Sequence, residues 1–236
     1  MTILAIDSSA KAASVCIANE EKIIGEFFIN TSLTHSQTLM PMTEQLLKNT
    51  EMTIDEVDAI AVNAGPGSFT GVRIGVAAAK GLAFPKNLPC VSVSTLESMA
   101  YNLLGTDCVV CAVMDARCSQ VYNAMFRIKG ETVERLTDDR ALSLSDLLLE
   151  FKQTDERILI VGDGAEITYD FLKNEASNAV LAPKNRRTQT ASSVALAAFQ
   201  KLFEGKTQTA AELMPIYLRL PQAQRELNAR LRLRNN

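Results

Sequence analysis

Thr2-Ile-Leu-Ala-Ile-Asp7-Ser-Ser9 begins the chain as an apolar run ending in an acid and two hydroxyls. The run has the length of one strand, and the serines are turn formers. Ser14-Val-Cys-Ile-Ala18 and Lys22-Ile-Ile-Gly-Glu-Phe-Phe-Ile29 read as two more strands, with Asn19-Glu20-Glu21 as the turn between them. Three strands joined by short turns make a meander, and the elements after Ile29 decide which kind of sheet it belongs to.

Downstream the period changes. A helix is expected from Thr34 or Ser36 to Lys48, with Thr34-x-x-Gln37 in the form of a capping box and Pro41 in its early turns. Asp58-Ala-Ile-Ala-Val62 is apolar enough for a strand covered on both faces, and a helix reaches from the glycines after it to Leu82. A strand at Cys90–Val93 leads to a helix capped by Ser94-x-x-Glu97. The second half repeats the scheme. It has strands at 108–114, 121–128 and 131–136, and a helix over Leu144–Phe151 capped by Ser143. A strand over Arg157–Val161 and helices near Ala165–Lys173 and Thr190–Phe203 complete it.

A seam falls near Leu104–Asp107, with Gly105 as a helix stop, dividing the chain into 1–104 and 105–236. A C-terminal segment of the second half is free to pack back on the first. Two halves that each open in a meander form the pattern of an α/β, actin-like (ASKHA, ribonuclease H-like) fold with two trimmed subdomains. Sugar kinases, heat-shock-70 chaperones and actin share that pattern, which by itself carries no function.

Composition narrows the chemistry. The 236 residues carry 24 Lys+Arg against 27 Asp+Glu, a net charge of −3. That balance gives no basis for nucleic-acid or membrane binding over the whole surface. His35 is the only histidine, which nearly excludes a multi-histidine metal site. The five cysteines form an odd set, with no signal peptide or membrane-length apolar run, so a reduced, cytoplasmic protein is expected. Cys108 and Cys111 spell C-x-x-C, but on a strand positions i and i+3 face opposite ways, so core cysteines are expected. No metal site is expected anywhere.

Two turns could meet phosphate. Asp7-Ser8-Ser9 ends the first strand and Gly162-Asp163-Gly164 ends a later one. Either could offer backbone N–H groups to an anion; either could equally be a plain turn. Richer is Ala64-Gly-Pro-Gly-Ser-Phe-Thr-Gly-Val-Arg-Ile-Gly75, which is neither a Walker loop nor a dinucleotide fingerprint. Ser68 is its expected N-cap. Gly67, Gly71 and Gly75 recur every four residues, followed by Ala78, as a bare strip along one helix face. The strip suits close packing either on the chain's own sheet or on a helix of another subunit, and spacing leaves both open. Asp115 and Arg117 sit at a strand end, as a local ion pair or turn.

From Arg219 onward the sequence holds five Arg (219, 225, 230, 232, 234) and one acid, Glu226. The spacing of Leu227 and Leu231 suits a helix over Gln222–Leu233, and the arginines suit nucleic-acid phosphates or an acidic partner surface.

Asp7-Ser-Ser9, Thr34-His-Ser36 with Leu39 and Pro41, and Gly65-Pro-Gly-Ser-Phe-Thr-Gly-Val-Arg-Ile-Gly75 resemble the bacterial TsaB (YeaZ) family. Ser92-Val-Ser-Thr-Leu-Glu97, Met114-Asp-Ala-Arg117 with Val121-Tyr122, Gly162-Asp-Gly164 and Pro215-Ile-Tyr-Leu-Arg219 fit it in the same order. The resemblance spans about residues 1–225. It implies an accessory subunit in forming N6-threonylcarbamoyladenosine at position 37 of tRNAs that read ANN codons. The partners it implies are TsaD, a larger paralogue that carries the metal and transfers the threonylcarbamoyl group, and TsaE, a small ATPase. The implied subunit interface is the helix of about Phe69–Leu82 with that of about Ser36–Lys48. On it lie Ser36, Leu39, Met40, Gly67, Phe69, Thr70, Gly71, Ile74, Gly75 and Ala78. The same surface pairs either two TsaB copies or TsaB with TsaD.

The resemblance also implies that Asp7, Ser8, Ser9, Gly162, Asp163 and Gly164 are vestigial phosphate loops. No cofactor is required, and ATP or ADP binding is expected to be weak. The paralogue's metal is held by H-x-x-x-H, whereas here Leu39 stands one turn after His35. Catalytic residues are therefore not expected. The alternatives are a minimal actin-like kinase or ATPase and, more remotely, a glycoprotease-type peptidase. Contact with tRNA is expected through the complex, and none with a membrane.

Overall fold

A computed structural model describes residues 1–219. Two mixed sheets each carry helices, and the chain runs through both. In the first half, β1 (Thr2–Asp7), β2 (Ala13–Asn19) and β3 (Ile23–Ile29) form the meander, followed by α1 (His35–Asn49). Then come β4 (Ala59–Gly65), α2 (Phe69–Ala83), β5 (Cys90–Ser94) and α3 (Thr95–Tyr101). The order across the sheet is β3-β2-β1-β4-β5, antiparallel through the meander and parallel from β1 to β5.

The second half continues with β6 (Cys108–Asp115), β7 (Gln120–Lys129), β8 (Thr132–Arg135), β9 (Arg140–Ser143) and α4 (Leu144–Phe151). It ends with β10 (Ile158–Val161), α5 (Ala165–Leu172), β11 (Ala179–Leu181) and α6 (Ala191–Phe203). Its order is β11-β10-β6-β7-β8, with β9 paired to the other end of β7. Each sheet thus joins an antiparallel meander to parallel strands, the actin-like arrangement.

Strand alternation explains the layering. Leu4 and Ile6 of β1 face α1 and α2, while Ile3 and Ala5 face α6. On the second sheet Cys111 and Val113 face α4 and α5, while Val110 and Ala112 face α3. The result is five layers, with α3 and α6 packed on each other between the sheets. α6 lies in the second half of the sequence yet covers the first sheet, and α3 does the reverse. Beyond α6 the chain also returns to the first sheet: Gln208 bridges Cys90, and Leu213 is buried in the α1–α2 core. Cys108 and Cys111 belong to opposite faces of β6, and the five cysteines are free.

Several details differ from the sequence expectations. The Thr34 capping box does not form: the Thr34 hydroxyl meets the Ser36 hydroxyl at 3.2 Å, and the Gln37 N–H donates to the Thr34 carbonyl instead. Pro41 lies beyond the first turn of α1, where proline interrupts the hydrogen-bond ladder. β9 and β11 are absent from the sequence reading, because three or four residues, of mixed polarity in β9 and wholly apolar in β11, are too few to carry a readable period. The caps at Ser68, Ser94 and Ser143 all form. The expected helix at Gln222–Leu233, with its arginines, lies outside the described residues. Among those described, no helix is long and apolar enough to cross a membrane.

Candidate functional site

The first turn is closed from within. Asp7 ends β1 fully buried, and its Oδ1 accepts hydrogen bonds from the Ser9 N–H at 3.0 Å and from Asn63 Nδ2 at 3.0 Å. Burial pushes its carboxyl above the ordinary value, with the Ser9 and Asn63 bonds opposing. α2 lies directly on this turn. The Ser68 N–H donates to the Ser9 carbonyl at 2.7 Å, and the Ser8 hydroxyl donates to the Gly71 carbonyl at 2.9 Å. A Cβ on Gly67 would strike the Ser9 carbonyl, one on Gly71 the Ser8 carbonyl, and one on Gly75 would stand 2.5 Å from the Ser8 hydroxyl. The three glycines therefore pack α2 on the chain's own Ser8-Ser9 turn. Of the two packings open to the strip from spacing, the fold takes the internal one.

The second turn is similarly engaged. Gly162 has φ +114°, and a Cβ there would meet the Val113 carbonyl. Its N–H donates to the Arg187 carbonyl at 2.7 Å, and the Gly164 N–H donates to the Val113 carbonyl at 3.3 Å. Two of the turn's three backbone N–H groups already have partners. Asp163 keeps a face open to a cleft but is hemmed in by enough protein to push its carboxyl up to about 6. The Gln189 bond opposes this shift, and the nearby Asp115 and Asp7 charges add to it.

The cleft between the turns has a volume of about 680 Å³, with Ser9, Lys11, Ser68, Asp115, Arg117 and Asp163 on its walls. His35, the first residue of α1, also lines the cleft, and its Nε2 donates to the Ala10 carbonyl at 2.7 Å. Asp115 and Arg117 form a local turn, the Arg117 N–H donating to Asp115 Oδ1 at 2.7 Å.

The residues expected at a subunit interface separate into two sets. Ser36, Met40 and Thr70 are exposed and Phe69, Ile74 and Ala78 are half-buried on α1 and α2, while half-buried Gly67, just before α2, packs on the Ser9 carbonyl. Leu39 is 1% exposed and belongs to the core, and Gly71 and Gly75 are buried against the Asp7 turn. The strip's periodicity was legible; the side it faces was set by tertiary packing.

Residues given no site role by the sequence help to build this region. Asn63 pins Asp7; an amide closing an otherwise apolar strand was its one signal. Arg73 lies over the Phe69 ring at 4.0 Å, and its Nε donates to the Tyr217 hydroxyl at 2.7 Å. The Phe69 and Tyr217 rings stack at 5.0 Å. The Ile216 N–H donates to the Ala64 carbonyl at 2.7 Å, and Arg219 Nη1 donates to the Ala116 carbonyl at 3.2 Å. The segment after α6 is thus a strap along α2 that touches the second half at Arg219.

Comparison with known proteins agrees with this architecture. The family described as "TsaD: tRNA N6-adenosine threonylcarbamoyltransferase" matches residues 24–227, a match that begins inside β3 and leaves out the Asp7 turn. The tRNA threonylcarbamoyladenosine biosynthesis protein TsaB of Bacillus subtilis is 34% identical over 231 residues, covering 95% of this chain and 96% of that protein. Its Escherichia coli counterpart is 32% identical over 222 residues, covering 93% and 95%. A solved Pseudomonas aeruginosa structure described as similar to peptidase YEAZ superposes with TM-score 0.81 at 27% identity, covering 92% and 99%. Likeness to TsaB along nearly the whole length, together with the shared two-sheet fold, establishes that the chain belongs to the TsaB (YeaZ) family.

Proposed function

We propose that the chain is a non-catalytic accessory subunit in tRNA threonylcarbamoyladenosine biosynthesis, the process for which its TsaB relatives are named. In this reading it pairs with a TsaD-like paralogue that carries the metal and transfers the threonylcarbamoyl group to adenosine 37 of ANN-reading tRNAs. A TsaE-like ATPase completes the set. One observation carries the proposal. The glycine strip draws α2 onto the Asp7-Ser8-Ser9 turn, so that Ser8 and Ser9 are engaged by the chain's own backbone while Met40 on the neighbouring helix α1 stays exposed.

The edge of α1 and α2 that carries exposed Met40 and half-buried Ile74 and Ala78 is the docking face of the proposal; Met40 is 45% exposed. In the absence of the paralogue, a second copy of the chain uses it. The chain's contribution is to bind and position, so its buried Asp7 has no chemical step to perform.

A second reading, a minimal ATPase, has the open cleft with Asp115 and Asp163 in its favour. ATP hydrolysis by the purified chain would support it, whereas the accessory reading expects weak nucleotide binding without turnover. Depleting the protein and quantifying tRNA nucleosides by mass spectrometry tests the main reading. Threonylcarbamoyladenosine should fall sharply, and an unchanged level contradicts it.

A further inference from the structure

A second groove, of about 880 Å³, lies beside β10 and β11 of the second sheet. It runs between the loop after β11 and the connection from α3 to β6. Arg157, Lys184 and Arg186 line its rim, all exposed. Among the described residues none of the three side chains forms an ion pair or hydrogen bond, whereas the neighbouring acids are engaged. Asp107 accepts from the Gly130 N–H at 2.7 Å, and Glu156 is gripped by both Nη atoms of Arg127. Three cations without a partner among the described residues therefore converge on a chain whose net charge is −3.

The loop that presents two of them is fixed in place. Arg187 donates twice to the Ala182 carbonyl, at 3.0 and 2.8 Å, and once to Glu166 at 2.8 Å. Asn102 holds the Thr188 carbonyl at 2.7 Å. Lys184 and Arg186 thus stand on a preset backbone, which lowers the ordering cost of engaging a ligand. The floor is largely closed, with Leu103 1% and Leu159 8% exposed, so little apolar surface is left to reward a peptide side chain. What the groove offers is positive charge in a fixed arrangement, the chemistry that meets phosphodiester oxygens.

We infer that this groove takes the sugar-phosphate backbone of RNA, with Arg157, Lys184 and Arg186 as phosphate contacts. The inference rests on the tRNA-modification reading for the identity of the RNA, and it makes this subunit a direct tRNA contact. Contacts of this kind carry no base readout, so the groove would position tRNA without selecting its sequence.

The test uses the full chain bound to the TsaD-like paralogue and an unmodified ANN-reading tRNA, with affinity measured by fluorescence anisotropy across a salt series. Reversing Lys184→Glu and Arg186→Glu together should weaken binding about tenfold or more at low salt. It should also flatten the log affinity against log salt slope by about 2, one for each lost phosphate contact. Lys22→Glu, at an exposed turn of the first sheet, should change neither. Pairing with the paralogue, monitored by size-exclusion chromatography, should be the same for all variants. Unchanged affinity and slope in the double variant overturn the groove, as do an equal loss with Lys22→Glu or a loss accompanied by failed pairing. Such failures leave the accessory reading intact. That reading is judged separately, by whether threonylcarbamoyladenosine falls when the chain is depleted.

Discussion

Gly71 lies against the Ser8 carbonyl so closely that no side chain fits between them. This contact joins the N-terminal part of α2 to the turn after β1, and Gly75 extends it to the Ser8 hydroxyl. Gly71→Val should therefore lower stability of the isolated chain by about 3 kcal/mol, or roughly 6–12 °C in Tm for a chain of this size. Thermal denaturation monitored by circular dichroism checks it. Selective loss of partner pairing with an unchanged Tm would return the strip to an interface role.

Asp7 should be replaceable by its neutral isostere. Asp7→Asn keeps an oxygen for the Ser9 N–H and Asn63 Nδ2 while removing a buried charge, so stability should hold or rise. Asp7→Ala leaves those two donors without an acceptor and should cost about 1–3 kcal/mol. Urea unfolding of both variants separates these outcomes.

Asp163 gives the chain a pH dependence of defined sign. Its carboxyl moves from an ordinary 3.8 to about 6 on folding, so the folded state holds the proton more tightly than the unfolded one. The stability this confers is complete below 3.8 and is lost as pH rises through about 6. Wild-type Tm should fall over that window, and Asp163→Asn should remove part of the fall. Parallel curves for the two proteins would contradict the assignment.

The strap depends on one arginine. Arg73→Ala removes the cation–π contact with Phe69 and the bond to Tyr217, contacts worth about 1 kcal/mol each. Hydrogen exchange at residues 214–218 should quicken severalfold, with β1 and β4 unaffected. Equal protection in both proteins would show that Leu213 and the Ile216–Ala64 bond hold the strap alone.

These contacts also show where sequence reading ends. The meander, the serine caps and the two turns were legible because each depends on neighbours a few residues apart. The opposed faces of Cys108 and Cys111 followed from strand alternation alone. The direction of the glycine strip was not legible: Ser8 and Gly71 are 63 residues apart, and either packing satisfies the same spacing. Arg73 and Tyr217 are 144 apart, and their pairing exists only because the chain returns from α6 to the first sheet. Leu39 and Met40 stand next to each other in sequence, yet the turn of α1 buries one and exposes the other.

Reconstitution bears most directly on the accessory role. Purified paralogue, TsaE-like ATPase and unmodified tRNA would be combined with this chain as wild type, as Asp7→Asn, or as Met40→Glu with Ala78→Arg. The product would be threonylcarbamoyladenosine measured by mass spectrometry. Wild type and Asp7→Asn should support the same yield. The double variant should fold normally yet lose pairing roughly tenfold or more and yield little product. Full activity of the double variant, or none with Asp7→Asn, would contradict a subunit that works by docking through α1 and α2.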